Sequence, residues 1–231
     1  MVWSVPKIWE GGDVWVIGGG PSITKQFGVS VDVVNDVVIG KQPLSLYSPF
    51  MESIHKKHII GINVAYMLGN WVDMVFFGDN GFFAVHKEGL FRFPGIKVSC
   101  TQGVERFDWI KYLPKNPAHP FGISSFPTSV SWNKNSGAAA LSVAVHTGAK
   151  RIFLLGFDMR LDEQNTQHFH SVYNGNGKPK NPRNLPFQRH LQGFPAIARD
   201  AKTMGVEIYN VNPQSAINEF PKLTLQEALT K

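Results

Sequence analysis

The ten residues Asp13-Val-Trp-Val-Ile-Gly-Gly-Gly-Pro-Ser22 limit the architectures open to this chain more than any other stretch. Their apolar run, β-branched and aromatic over 14–17, suits a parallel strand buried on both faces. Three glycines then allow backbone conformations closed to other residues, and Pro21 suits a first helical position, where its missing N–H costs nothing. Strand, tight turn and a helix starting beside Ser22 make the opening of a βα unit. Such a helix is expected to turn free N–H groups and the positive end of its dipole out of the sheet's carboxyl edge, which favours a phosphate or another anion. Gly20 is expected to let that ligand approach the backbone closely. The stretch is not a dinucleotide fingerprint, which needs glycine where Ile23 stands, nor a P-loop, which needs Lys followed by Ser or Thr. Read structurally, the same glycines do no more than shape a turn.

The pattern of strand and helix repeats along the chain. Strands are expected at 58–63, ending on Asn63, and at 73–79, ending in glycine and the polar pair Asp79-Asn80. Further strands are expected at 97–100, at 151–158, ending in glycine and Asp158, and at 206–211. A valine-rich stretch at 29–39 reads as another strand, interrupted by Asp32, Asn35 and Asp36. Helices are expected at 135–148, small-residued and capped by Asn135 or Ser136, at 193–205, and at the end, where Thr224 and Glu227 form a capping-box pattern. Residues 43–58 form a polar connection with some helical character, and 64–69 one short helical turn. Strands ending in turn-forming and polar residues suggest an α/β fold: a Rossmann-like, doubly wound, mainly parallel sheet, helices on both faces, its ligand crevice at the carboxyl ends. A strand-ending Asn or Asp is also a common turn former or helix cap.

One domain over 1–231 is the simplest organisation, and 43% hydrophobic residues supply its core. Two irregular regions interrupt the alternation: a proline-rich, lid-like excursion at about 101–135, and a polar loop region at about 160–192. There is no apolar run of about eighteen residues and no signal-peptide layout, so a cytoplasmic protein is expected. A lone cysteine, Cys100, agrees with a reducing compartment. The net charge of +6 favours anionic ligands, while the basic run 178–183 reads as a solvated loop and no nucleic-acid partner is expected.

Taken together, Gly18-Gly-Gly-Pro-Ser22, the strand ending in Asn63, Asn135-Ser-Gly137 opening a small-residue helix, Ile152-Phe-Leu-Leu-Gly-Phe-Asp158 and Asn212-Pro-Gln-Ser215 resemble the bacterial family 42 sialyltransferases. They also resemble a related group that includes archaeal pterin pyrophosphokinases, flagellin-modification proteins and phage-borne proteins. The resemblance implies a metal-independent transferase using a CMP-sugar or other nucleotide-sugar donor, with a glycan or small molecule as acceptor. It places Gly18, Gly19, Gly20 and Ser22 around the donor phosphate and ribose, with Asn63, Asn80 and Asp158 as further polar contacts. Ser136 and Gly137 would lie along the nucleotide. His190 occupies the position of the family's general base. Gly19 stands where the family usually has asparagine, and Arg160 stands near the position of a tyrosine that steadies the departing phosphate, a task arginine performs through charge-assisted bonds. The acceptor, the sugar, the nucleotide base and the oligomeric state, a homo-oligomer included, stay open.

The residues themselves support this in outline: sugar transfer needs a base for the acceptor hydroxyl, and imidazole suits it near neutral pH. A histidine in a polar loop is also a common surface residue. His168-Phe-His170 supports a rival. In an extended segment these two histidines point the same way, and with Asp158 they would hold a divalent metal that neutralises a diphosphate, as pyrophosphokinase chemistry requires. A third reading keeps the nucleotide crevice without catalysis, as a binding or phage-assembly protein.

Overall fold

A computed structural model describes residues 2–173 and 179–231. Lys178, the first residue of the basic loop read at 178–183, lies outside them. Among the described residues, seven strands form one sheet, all neighbouring pairs parallel: β1 (Asp13–Ile17), β2 (His58–Ile62), β3 (Met74–Phe77), β4 (Ile96–Ser99), β5 (Lys111–Tyr112), β6 (Arg151–Leu155) and β7 (Glu207–Asn210), in the order β5-β4-β3-β2-β1-β6-β7. The chain therefore walks outward from β1 through β5, then returns to lay β6 on the other side of β1. That reversal leaves a crevice between the carboxyl ends of β1 and β6. Ile17 pairs with Leu155 there, so the glycine turn and the Gly156–Asp158 segment leave the sheet side by side.

Side-chain alternation shows why both faces are covered. Val14, Val16, Ile60, Met74, Phe76, Ile152 and Leu154 enter one core, whereas Trp15, Ile17, Ile59, Val75, Phe77, Phe153 and Leu155 enter the other. The second face carries α1 (Ser22–Gln26), α2 (Val31–Val38), α3 (Asn80–Arg92) and the 3₁₀ segments Leu44–Ile54 and Asn63–Leu68. Against the first face lie α4 (Ser136–His146) and α6 (Phe194–Thr203), and between these two in sequence the short α5 (Phe187–Leu191) stands at the cleft. Gly137 to Ala140 of α4 are all buried, and their small side chains bring the helix close to β1, β2 and β3. The closing helix α7 (Leu225–Thr230) carries the expected capping box.

The expectation for 29–39 is overturned. The valines belong to α2, where Val33, Val34 and Val37 follow a helical period and pack on the second core, while Val31 and Ile39 stay exposed. Period prevailed over β-branched composition. The strand–helix connection after β3 holds α3, which Asp79 caps by accepting from the Gly81 amide at 3.3 Å.

Trp15 is fully buried and stacks on Phe153 of the neighbouring strand with ring centroids 4.7 Å apart. Trp15→Ala should lower stability by about 3–5 kcal/mol, measured by urea unfolding, because the surrounding strands cannot collapse into the vacated space.

Candidate active site

At the β1/β6 switch point lies a cleft of about 230 Å³. Its floor is the glycine turn and Gly156 to Arg160, and its sides come from Asn63 after β2, Asp79 after β3, the segment Trp132 to Gly137, and the region that carries His168, His170, Tyr173, Arg189 and His190. Gly18, Gly19, Gly20, Asn63, Ser136, Gly137, Asp158, Arg160 and His190 are thus brought together from distant parts of the chain. Ser22 and Asn80 are not on its walls: Ser22 is the first residue of α1 behind the turn, and Asn80 starts α3 exposed to solvent.

The glycine turn is wired differently from the sequence expectation. Gly18 N–H donates to Leu155 O at 2.8 Å, Gly20 N–H to Gly156 O at 2.9 Å, and Ser22 N–H to Asp158 Oδ2 at 3.1 Å. The amides of Gly18 and Gly20 are therefore taken by backbone carbonyls, and that of Ser22, at the start of α1, by a carboxylate of the protein itself. The other oxygen of Asp158 accepts from Asn212 Nδ2. A Cβ added to Gly20 would lie 2.6 Å from Asp158 Cγ and 2.6 Å from Gly156 O, so the missing side chain makes room for Asp158 rather than for a ligand. Gly19 differs: a Cβ there would face His168 Nδ1 at 3.2 Å and His170 Nε2 at 3.8 Å.

Asp158 is 4% exposed, and burial pushes its carboxyl above the ordinary value against the opposing pull of the Ser22 and Asn212 donors. Each oxygen of Asp158 accepts one hydrogen bond, and no group of three His, Cys, Asp or Glu side chains that could hold a metal converges among the described residues. The metal set Asp158, His168 and His170 is not assembled.

The histidines are tightly set. His168 Nδ1 lies 3.3 Å from Gly19 O, beside the bond from Phe169 N–H to the same carbonyl at 3.2 Å. The His168 and His170 rings stack 5.1 Å apart at 12°, and Tyr173 meets both at 80°. Although Tyr173 is 42% exposed as a residue, its hydroxyl end is turned inward beside Asn63, and burial raises its ionisation. Burial lowers His168 to about 4, against the Gly19 carbonyl that favours the proton. It lowers His170 well below 6.5, assisted by His168 and His86, and His190 to about 4, assisted by Arg189 and His168.

Lys134, Arg160 and Arg189 add positive charge to the cleft. Lys134 Nζ donates to Gln192 Oε1 at 3.0 Å, and Arg160 donates to the carbonyls of Leu161 and Gln214 at 3.3 and 3.4 Å. Asn63, Lys134 and Met159 have φ of 51°, 53° and 51°, so three of the five non-glycine residues with positive φ among those described stand on this cleft. Such clustering of backbone strain is characteristic of functional sites. Sequence reasoning missed Trp132, Lys134, Tyr173 and Arg189. Trp132 had a usable signal in Gly78, where a Cβ would lie 2.7 Å from Trp132 Cη2, since a strand-ending glycine implies a close neighbour.

No family model matches the sequence, and neither does any curated protein. Solved structures do match by fold. The sialyltransferase CstII from Campylobacter jejuni in complex with cytidine-5'-monophosphate superposes with a TM-score of 0.50 at 15% identity, over 93% of this chain and 85% of that one. CstII with CMP-3FNeuAc gives 0.50 at 15%, over 92% and 86%. The MAf glycosyltransferase from Magnetospirillum magneticum AMB-1 gives 0.57 at 15%, over 97% of this chain and 35% of that larger one. The chain has an α/β, Rossmann-like fold of the kind these glycosyltransferases share. No helix among the described residues is long and apolar enough to cross a membrane.

Two outcomes follow. Gly20→Ala should cost about 1–3 kcal/mol in chemical unfolding, because the new methyl group must displace the Asp158 carboxylate. Stability should also fall with acidification. The unfolded chain takes protons on His168 and His190 from about pH 6.5 downward, the folded chain only near pH 4, so unfolding gains protons throughout that window and Tm falls as pH is lowered across it. Asp158, raised above 3.8, acts in the opposite sense at the bottom of the window. Calorimetry between pH 7 and 4.5 should show a shallower slope for His168→Asn than for the wild type.

Proposed function

We propose that this protein is a glycosyltransferase that moves a sugar from a nucleotide-sugar donor to an acceptor hydroxyl. The observation that carries the reading is the meeting, at the switch point of a doubly wound sheet, of the neutral imidazole of His190 with Lys134, Arg160 and Arg189 in one cleft. In this reading the acceptor oxygen attacks the anomeric carbon as His190 takes its proton. The bond from that carbon to the phosphate oxygen breaks, and the nucleotide leaves with the electron pair. Arg160, with Lys134 and Arg189, meets the charge gathering on the phosphate, so the step needs no metal counter-ion from solution. The CstII structures are complexes with cytidine-5'-monophosphate and CMP-3FNeuAc, which puts the cytidine nucleotide beside uridine and guanosine nucleotides among the donors to test.

His190 is uncharged well below neutral pH, so the acid limb of kcat/KM should lie below pH 6.5, toward about 4 in the free enzyme. Removing a general base typically costs about 10² to 10⁴ in rate. His190→Ala should lower turnover by that order and leave nucleotide affinity nearly intact, because the base touches the acceptor and not the donor. Sugar release from CMP-, UDP- and GDP-sugars, followed with and without EDTA, checks this. Turnover that requires Mg²⁺ and ATP, and survives His190→Ala, would support pyrophosphate transfer instead. Nucleotide binding with no turnover of any donor would support a binding protein.

A further inference from the structure

The cleft is lined by Lys134, Arg160 and Arg189 and by a polar group of Asn63, His168, His170 and Tyr173, with the Asp79 carboxylate acting on Tyr173. His170 is 1% exposed, and neither of its ring nitrogens has a hydrogen-bond partner among the described residues. Asn63 Oδ1 is buried and unpaired in the same way. Each of these atoms has given up hydrogen bonds that it makes to water in the unfolded chain, which is costly unless something in the cleft restores them. His168 stacks on His170, and Tyr173 meets both edge-on.

The unpaired atoms restrict what can complete them. Kept neutral by burial, the His170 ring offers one N–H donor and one bare nitrogen acceptor, and Asn63 Oδ1 is a second acceptor. A carboxylate or phosphate brings acceptors alone, so it would satisfy the single donor and set its lone pairs against the other two groups. A hydroxyl both donates and accepts, and neighbouring hydroxyls on a sugar ring can serve all three atoms. We propose that Asn63 and His170 form the sugar-reading wall of the cleft and select a donor whose transferred group is an uncharged, hydroxyl-rich sugar. This rests on the nucleotide-sugar reading above and adds to it the class of sugar. The phosphate then belongs with Lys134, Arg160 and Arg189.

Isothermal titration with pairs of ligands tests the assignment: each bare nucleotide against its sugar conjugate, with UDP-glucose, UDP-galactose and GDP-mannose on the neutral side and UDP-glucuronate and CMP-sialic acid on the anionic side. A neutral sugar should tighten binding over its bare nucleotide by about tenfold, the scale of one or two good hydrogen bonds. An anionic sugar should give no gain. His170→Phe should abolish the gain and leave bare-nucleotide affinity unchanged, and His170→Gln, which keeps a donor and an acceptor, should recover part of it. Asn63→Gly accommodates the φ of 51° and removes the carboxamide, so where His170→Phe does not fold it is read as the ratio of conjugate to bare-nucleotide affinity, which should fall to about one whatever happens to the bare nucleotide. Equal gains from anionic and neutral sugars overturn the proposal. So does a loss of bare-nucleotide affinity in His170→Phe that matches the loss for the conjugate, or no change in either. Absence of binding by every nucleotide overturns the transferase reading itself. Saturation-transfer NMR with free glucose and free glucuronate still decides the wall on its own: a glucose signal that disappears in Asn63→Gly supports it, and the absence of any glucose signal from the wild type overturns it.

Discussion

The carboxylate of Asp158 joins three parts of the chain that would otherwise have no reason to meet. One oxygen accepts from the Ser22 amide at the start of α1, and the other accepts from Asn212 beyond β7. Around it the turn is drawn against β6 by Gly18 N–H to Leu155 O and Gly20 N–H to Gly156 O. A buried carboxylate carries a large desolvation cost, and it persists here because both oxygens are held by donors and lie at the positive end of a helix. The arrangement fixes the floor of the cleft to within the tolerance of two hydrogen bonds. It also explains why Gly20 admits no side chain. What looks in the sequence like an empty anion site is an anion site already filled from within.

On that rigid floor the walls are less satisfied. Asn63, Lys134 and Met159 hold left-handed backbone conformations, while His170 and Asn63 keep polar atoms unpaired. Proteins tolerate each of these costs at a few positions, and the surrounding core is what sustains them. Here that core is unusually complete at the switch point, with Val14 to Ile17 and Ile152 to Leu155 essentially inaccessible to solvent on both faces of the sheet. Rigidity below and unsatisfied chemistry above is the combination that a ligand can complete without reorganising the fold.

How much of this could be read from the sequence depended on the length scale of the signal. The strand-to-glycine transition at 13–22, the small-residue helix after Asn135 and the capping box at Thr224 are local patterns, and each element stands where its pattern put it. The valines at 29–39 misled because composition and period disagree there, and burial of only one helical face decides the matter. Lys134, Tyr173 and Arg189 carried no local signal at all. They enter the cleft because an irregular backbone, including Lys134 at φ 53°, brings the chain back across the carboxyl edge. The role of Gly20 was misjudged for a related reason: a glycine announces a close neighbour, but the sequence does not say whether that neighbour is a ligand or, as here, an aspartate far along the chain.

The presence of buried imidazoles and exposed cations in one cleft follows from the same topology. The segment that carries His168 and His170 passes close to the glycine turn, where Gly19 O accepts from Phe169 N–H and meets His168 Nδ1. Side chains arriving by that route are desolvated against the turn, and imidazoles placed so near one another lose their protons. Lys134 and Arg189 arrive instead from the segment before α4 and from α5, and both stay exposed to solvent.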